Sequence, residues 1–404
     1  MNDQALSGVK ILEYCSTVTG AYTAKIMADM GAEVIKVEPP GKGDDARRHP
    51  PFAGDIPHPE KSTLFLFLNS NKLGVTLDVR KDEGREIFRK LAGDADILVE
   101  DGPVGQMEET GLGYDVLKEW NPGLIMISIT PYGRSGPYRD YKAYQLNLAN
   151  TGGQAYLQPQ PSVNLDRPPV KPGGHLTDYD SALMAAVAIV AAYYRKTMTG
   201  RGQFIEISKQ EAILNMQRVD TLMFANAGGV LNRSGKLNPI PGGGVLPAKD
   251  GHVIISAPED HQWDALMKFM GDPDWSKEDW CRDRFVRAEN AAEQKKLISQ
   301  WMTQYPKERI FHEGQAGKVP VASVSTPEDL ADSEQLQVRG FWSEMDHPVV
   351  GKIKFPASPY RFSKTPWQMQ RPAPMLGEHN EAIYNHRLGY DRAGLARLRE
   401  EGII

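Results

Sequence analysis

The residues of this chain best placed to do chemistry gather between His175 and Gln203, a stretch that reads His-Leu-Thr-Asp-Tyr-Asp, an apolar run, then Thr-Gly-Arg-Gly-Gln. From Ser181 to Tyr194 the residues Ala182, Leu183, Ala185, Ala186, Ala188, Ile189, Ala192 and Tyr193 recur at three- and four-residue steps with no charge among them, which predicts a buried helix. Asp178 stands at its mouth. A carboxylate there accepts unpaired amide protons of the first turn and faces the positive end of the helix dipole, which favours its ionised form. Read alone, such an aspartate is a helix cap. No His-Asp or Ser-His pairing stands out elsewhere, and Cys15 and Cys281 are too few for a disulfide framework or a metal site.

The elements that must hold this stretch alternate along the chain. Residues 8–38 give a strand, a helical pattern on Tyr22, Ile26, Met27 and Met30, and a second strand from Ala32 to Glu38, the seed of a parallel sheet. Thr63 to Leu68 reads as a strand, Asn71 to Asp78 as another, 82–92 as a helix, Ala95 to Glu100 as a strand, Leu112 to Trp120 as a helix and Leu124 to Thr130 as a strand. This alternation predicts an α/β domain with a Rossmann-like, doubly wound parallel sheet. Ser16-Thr-Val-Thr-Gly20 carries one glycine where a nicotinamide fingerprint needs three, although the same unit can seat an adenine nucleotide at the carboxyl ends of its strands. Arg47, Arg48 and His49 lie in the loop that follows, either solvated or facing a ligand's phosphates.

After the strand Phe204 to Ser208 the chain reads helical and apolar from Gln210 to Asn238. Three glycines at 242–244, a hairpin at 245–256, and helices at Asp260 to Met270 and Ala292 to Thr303 predict a smaller α/β domain. The boundaries that follow are 1–205 for the first part of the large domain, 206–240 for a helical linker, 241–325 for the small domain, and 326–404 for a return to the large one. Composition is that of an ordinary soluble protein, 404 residues with 40% apolar and 25% charged. A net charge of −5 with no basic cluster argues against nucleic acid or an anionic membrane as partner. No apolar run free of charge reaches ~18 residues and the amino terminus is polar, so neither a spanning helix nor a signal peptide is expected. A cytoplasmic protein is expected, with no metal.

Five blocks carry a resemblance over essentially the whole chain. Leu6-Ser-Gly-Val-Lys-Ile-Leu-Glu13, Met30 to Glu38, Asn71 to Asp78, Tyr132-Gly-Arg-Ser-Gly-Pro-Tyr138 and Leu376-Gly-Glu-His379, with the helix, Thr199-Gly-Arg-Gly-Gln203 and the strand after it, resemble the family III CoA-transferases, the formyl-CoA and carnitine CoA-transferase family. The resemblance implies that Asp178 is the nucleophile, Asp180 standing two residues too late. It implies a coenzyme A thioester as substrate rather than a tightly bound cofactor, a carboxylic acid as acceptor, and two protomers interlocked as a homodimer, with a hetero-oligomer as the other arrangement. It further implies CoA contacts around Val18, Thr19, Arg47, Lys72, Asp101 and Tyr132. Gly242, Gly243 and Gly244 would be the loop that shields the intermediate and stabilises its oxyanion.

Attack of a carboxylate on a thioester gives an acyl anhydride that keeps the acyl group activated; CoA thiolate then makes an aspartyl thioester, which the acceptor attacks. His175 is expected to support rather than catalyse. Three positions depart from the family pattern: Glu109 stands where an arginine holds a CoA phosphate, Val18 where formyl-CoA transferases have a glutamine, and Pro39 where they have an arginine. Lys72, Arg47, Arg48 and Arg134 are the candidates to replace the lost charge. Met216, Leu222 and Met223 are either core or the lining of an acyl pocket. Epimerisation of a CoA thioester is the competing chemistry, but residues 142–152 lack the His-Asp pair it needs. An isomerase using Asp178 and a non-catalytic subunit of a larger transferase are the remaining alternatives.

Overall fold

The computed structural model describes residues 4–159, 162, 164–216, 218–233 and 243–404. These divide into two compact units, one of described residues within 1–159, 168–230 and 340–404, the other of those within 160–167 and 231–339. In the first, β1 (Lys10–Tyr14), β2 (Glu33–Glu38), β3 (Leu73–Thr76), β4 (Ile97–Glu100), β5 (Ile125–Thr130) and β6 (Phe204–Ser208) form one sheet in the order β3-β2-β1-β4-β5-β6, parallel throughout. Strands β3, β4 and β5 are buried along their whole length, as unbroken apolar runs require of a sheet covered on both faces. The helices are α1 (Thr19–Asp29), α2 (Thr63–Asn69), α3 (Asp82–Gly93), α4 (Gln106–Glu109), α5 (Tyr114–Trp120), α6 (Gln145–Thr151), α7 (Leu176–Thr199), α8 (Lys209–Met216) and α9 (Arg218–Ala227). Ile11, Met27, Val34, Ile127, Ala185 and Ile189 form the core shared by α1, α7 and the sheet; Leu12, Val75, Phe88, Leu98 and Met126 form the other, with Tyr384 and Leu398 from the carboxyl-terminal segment. This is the doubly wound fold the alternation predicts, and its strand order reverses between β1 and β4.

Two expectations change. Thr63 to Leu68 is the helix α2, not a strand. Ser62 caps it by accepting from the Phe65 amide, and a helix apolar on all sides is stable here because Leu68 packs with Val18 and Ala21 while Phe65 and Leu66 pack with Ala46, Phe355 and Ala373. An apolar run of this length carries no periodicity that separates the two structures. Helix α7 is also only half buried: Ala182, Ala185, Ala186, Ile189 and Ala192 face the core, while Val187, Tyr194 and Met198 are 68%, 70% and 73% exposed. Among the described residues it is the one helix long and apolar enough to cross a membrane by length and composition. Its small-residue face packs against α1 instead.

The glycines after α7 have separate reasons. Gly200 ends the helix at φ +69°, the left-handed cap, and donates to the Lys196 carbonyl. Gly202 passes so close to β5 that a Cβ would sit 1.9 Å from the Leu124 carbonyl oxygen. At the other edge, the Leu376–His379 block closes β3. His379 exchanges hydrogen bonds with Gly74, its amide donating to the Gly74 carbonyl and its Nδ1 accepting from the Gly74 amide, and Asn380 Oδ1 accepts from the Thr76 amide.

In the second unit, β7 (Gly244–Ala248), β8 (Gly251–Ile255) and β9 (Val321–Ser323) form an antiparallel sheet. Leu246, Val253 and Ile255 pack with Trp263 and Leu266 of α10 (Asp260–Phe269), Ile298 and Met302 of α12 (Ala291–Met302), which follows α11 (Arg284–Glu289), and Ile310 of α13 (Lys307–Ala316). This is the smaller α/β domain.

The two glycines predict a graded result. Gly200→Ala costs about 1 kcal/mol, the price of a Cβ in the left-handed region. Gly202→Ala costs about 3 kcal/mol or more, because the clash is with backbone that cannot rotate away. Urea denaturation of the two variants beside the native chain gives the comparison; equal losses would contradict it.

Candidate active site

The site lies where the strand order reverses, at the carboxyl ends of β1 and β4, with the start of α7 beside it. A buried ionic network fixes the loop after β1. Lys36 Nζ lies 2.7 Å from Glu13 Oε1 and 2.7 Å from Asp44 Oδ2, and Lys72 Nζ lies 2.7 Å from Glu13 Oε2, all four side chains being wholly buried. Lys72 also donates to the Ala21 carbonyl and to Asn69 Oδ1. Burial pushes the Lys72 ammonium down to about 8, with Glu13 opposing the shift. Burial works against the charge of Asp44 too, yet Lys36 and the amides of Thr17 and Ala46 hold its carboxyl below the ordinary value.

This network reaches the loop through Asp44. Asp44 Oδ1 accepts from the Thr17 amide at 2.8 Å, and Thr17 adopts φ +69°, a conformation costly for a β-branched residue and kept by such contacts. Asp101, just beyond β4, accepts from the Ser16 amide at 2.8 Å and the Gly20 amide at 3.1 Å. Its neighbour Glu100 accepts from the Gly102 amide. Burial raises both, Asp101 to about 6 and Glu100 to about 7. Val18 therefore starts α1 in a defined place, and Thr19 is aimed at α7.

Asp178 is there to meet it. Its Oδ1 accepts from Thr19 Oγ1 at 3.0 Å and from Lys209 Nζ at 3.3 Å, while Oδ2 is 3.5 Å from Nδ1 of His175. Burial alone would raise this carboxyl, but His175, Lys209 and Thr19 outweigh it and hold it below the ordinary range. The first turn of α7 thus carries an ionised carboxylate in a nearly closed place, with 8% of the residue exposed. Asp180 faces elsewhere, toward the Gln154 amide.

The remaining expected residues separate. Thr19 is a partner of Asp178 and fully buried, and Val18 is core beside Ala21 and Leu68. Arg47 is wholly buried: its guanidinium holds Glu38 at 2.7 and 2.8 Å and Glu60 at 2.6 Å, and stacks 3.7 Å over the Phe65 ring. Arg47 and Lys72 thus have their charge taken up inside the protein, which removes the reason for reading them as phosphate ligands. Arg134 pairs with Glu108 and lies over Phe204. Arg48 is exposed, bonded to the Lys42 carbonyl, and Glu109 is exposed on α4. Tyr132 packs edge-on against Tyr138 and Tyr141. Gly243 and Gly244 open β7 in the second unit, Gly244 at φ +98°, and Gly242 lies outside the described residues. Sequence reading misses Lys209. It is the residue immediately after β6, and only a strand end adjacent to β5 at the open edge of the site could have marked it.

Comparisons with known proteins give the family and the fold. A model of CoA-transferase family III matches residues 6–380. Human succinyl-CoA:glutarate CoA-transferase is 30% identical over 412 residues, spanning 100% of this chain and 90% of that protein. Formyl-CoA:oxalate CoA-transferase of Rhodopseudomonas palustris strain BisB18 is 29% identical, over 99% of this chain and 97% of its own length. A crystal structure of a CAIB/BAIF family protein from Brucella suis superposes with a TM-score of 0.85 at 29% identity, covering 95% of this chain and 99% of that one.

Two carboxylates of this site predict pH effects of opposite sign. Asp101 is raised from 3.8 to about 6 on folding, so between those values the folded chain binds the extra proton and stability falls as pH rises. Asp178 is depressed, so its contribution is present above 3.8 and is lost as pH falls through its lower folded value. Denaturation midpoints of the native chain, Asp101→Asn and Asp178→Asn, taken from below pH 3.8 to above about 6, should show the native chain losing stability relative to Asp101→Asn as pH rises from 3.8 to about 6, and relative to Asp178→Asn as pH falls below 3.8.

Proposed function

This chain belongs to CoA-transferase family III, and we propose that it moves CoA from an acyl-CoA thioester to a free carboxylic acid through acyl anhydride and CoA thioester intermediates on Asp178. The observation that carries this is the ionised, nearly enclosed Asp178 carboxylate on the first turn of α7, held by Thr19 and Lys209. A carboxylate needs no general base, since it is already charged. Enclosure limits water, which would otherwise hydrolyse the anhydride.

Coenzyme A approaches the carboxyl ends of β1 and β4, the place where nucleotide ligands meet doubly wound sheets. With Arg47 and Lys72 buried against carboxylates, Arg48 is the candidate of the four to face its phosphates, since its partners, Asp45 and the Lys42 carbonyl, lie with it in the exposed loop. The names of the relatives, succinyl-CoA:glutarate and formyl-CoA:oxalate transferase, set the first donors and acceptors to try. Leu214, Met216, Leu222 and Phe224 are 41–61% exposed in the isolated chain, which supports a role at a surface or an acyl pocket over a role in the core of this unit. A second copy of the chain is the partner proposed for the outward stripe of α7, Leu183, Val187, Val190, Tyr194 and Met198, since an apolar face of this extent is unfavourable in water.

Mass spectrometry after incubation with acyl-CoA thioesters and hydroxylamine tests the chemistry. The native chain should yield a hydroxamate on Asp178, and Asp178→Asn none; no adduct with any donor, in a chain that still binds CoA, would overturn the anhydride route for those donors. Sedimentation equilibrium tests the second copy. The native chain should be dimeric at micromolar concentration and Val187→Asp with Met198→Asp monomeric, whereas a native monomer would remove the proposal.

A further inference from the structure

Resting on the reading of Asp178 as the acylated residue, we propose that its two oxygens have fixed and different fates. Oδ1, held by Thr19 and Lys209, becomes the oxyanion each time the aspartyl carbonyl is attacked. Oδ2 forms and loses the covalent bonds, which makes Lys209 a catalytic residue of the transfer.

The asymmetry is geometric. Both close donors converge on Oδ1, the Thr19 hydroxyl at 3.0 Å and the Lys209 ammonium at 3.3 Å, while among the described residues Oδ2 has His175 Nδ1 alone, at 3.5 Å. The donors come from different elements, the first residue of α1 and the first residue of α8. Each is anchored independently of Asp178: Thr19 by the buried packing of α1 and by the Asp101 contacts to the loop before it, Lys209 by the end of β6 in the sheet. Asp101 also feels Lys209 electrostatically, the ammonium working against the rise that burial causes in the Asp101 carboxyl. Thr19 is wholly buried and the Lys209 side chain is 15% exposed, so both act where water screens little.

Each step balances on these atoms. Oδ2 attacks the thioester carbonyl carbon and the carbon–sulfur bond breaks, leaving CoA thiolate and an anhydride. The thiolate attacks Cγ of Asp178, and the carbonyl electron pair moves onto Oδ1, now negative and facing both donors. It returns as the Cγ–Oδ2 bond breaks, and the first acid departs as a carboxylate that carries Oδ2 away. The acceptor carboxylate attacks Cγ, the negative charge forms again on Oδ1, and thiolate is expelled. The thiolate then attacks the acceptor's acyl carbon and releases Asp178 with Oδ1 unchanged and an acceptor oxygen in the place of Oδ2. No proton moves. In the anhydride and thioester Oδ1 is neutral, whereas in both tetrahedral species it is an anion, so the ammonium contributes more to the transition states than to the states before them.

The experiment is a self-exchange that needs no knowledge of the second acid: succinyl-CoA with succinate carrying heavy oxygen at every carboxyl position, followed by weighing the Asp178 peptide. After many turnovers the native enzyme should hold one heavy oxygen and no second. Lys209→Met and Thr19→Val should lower kcat on the order of a hundredfold and admit the second heavy oxygen, because the released carboxylate can turn over between cycles. Lys209→Arg should keep the single label. A second heavy oxygen accumulating in the native chain over many turnovers, or Lys209→Met with native kcat, would overturn the proposal; the native-chain measurement decides even if a variant fails to fold. Exchange of CoA with no label in Asp178 would be a different failure, that of the anhydride reading itself.

Discussion

The structure around Asp178 depends on four wholly buried charges, Glu13, Lys36, Asp44 and Lys72, that neutralise one another. Burying two cations and two anions is costly, and the network persists only because each charge has a close partner of opposite sign. Its members lie on β1, on β2, on the loop after β2 and just before β3, so it ties three neighbouring strands of the sheet together. Through Asp44 it grips Thr17, and the Lys72 contact to the Ala21 carbonyl grips the first turn of α1. Replacing Lys36 would leave Asp44, and replacing Glu13 would leave Lys72, without its opposite charge in the interior, a loss on the order of 3–5 kcal/mol.

That constraint explains why charges expected to meet a ligand do not. Arg47 and Lys72 are basic residues in a glycine-bounded loop and before a strand, positions that look solvated in a linear reading. Each instead has carboxylate partners brought from elsewhere: Glu38 and Glu60 for Arg47, Glu13 for Lys72. A family pattern that has lost its arginine at Glu109 is therefore not repaired by either of them. Asp178 itself stays nearly enclosed at the mouth of α7.

The site joins elements far apart in the chain. Thr19, Asp178 and Lys209 come together because α1 and α7 pack side by side on one face of the sheet and β6 adds at the edge next to β5. Small residues on α7 make that approach possible: Ala182, Ala185, Ala186, Ile189 and Ala192 leave room for α1 to lie close. The larger residues of the same helix point outward, so a single element both positions Asp178 and presents an apolar stripe.

The sequence alone determined the alternation of strands and helices outside α2, the absence of a dinucleotide fingerprint, and Asp178 at the mouth of a helix, because periodicity, glycine placement and capping are local properties of the chain. It also carried the glycines after α7, whose reasons are a left-handed cap and a close approach to β5. It misread α2 as a strand, since a run of leucine and phenylalanine has no period until two separate clusters press on it. Only the tertiary structure decided which charges are paired inside, that one face of α7 remains open, and that Lys209 stands beside Asp178. The physical reason is distance along the chain: Asp178 and Thr19 are separated by 159 positions, and no local pattern encodes which hydroxyl or ammonium the fold will bring within 3.3 Å of a carboxylate.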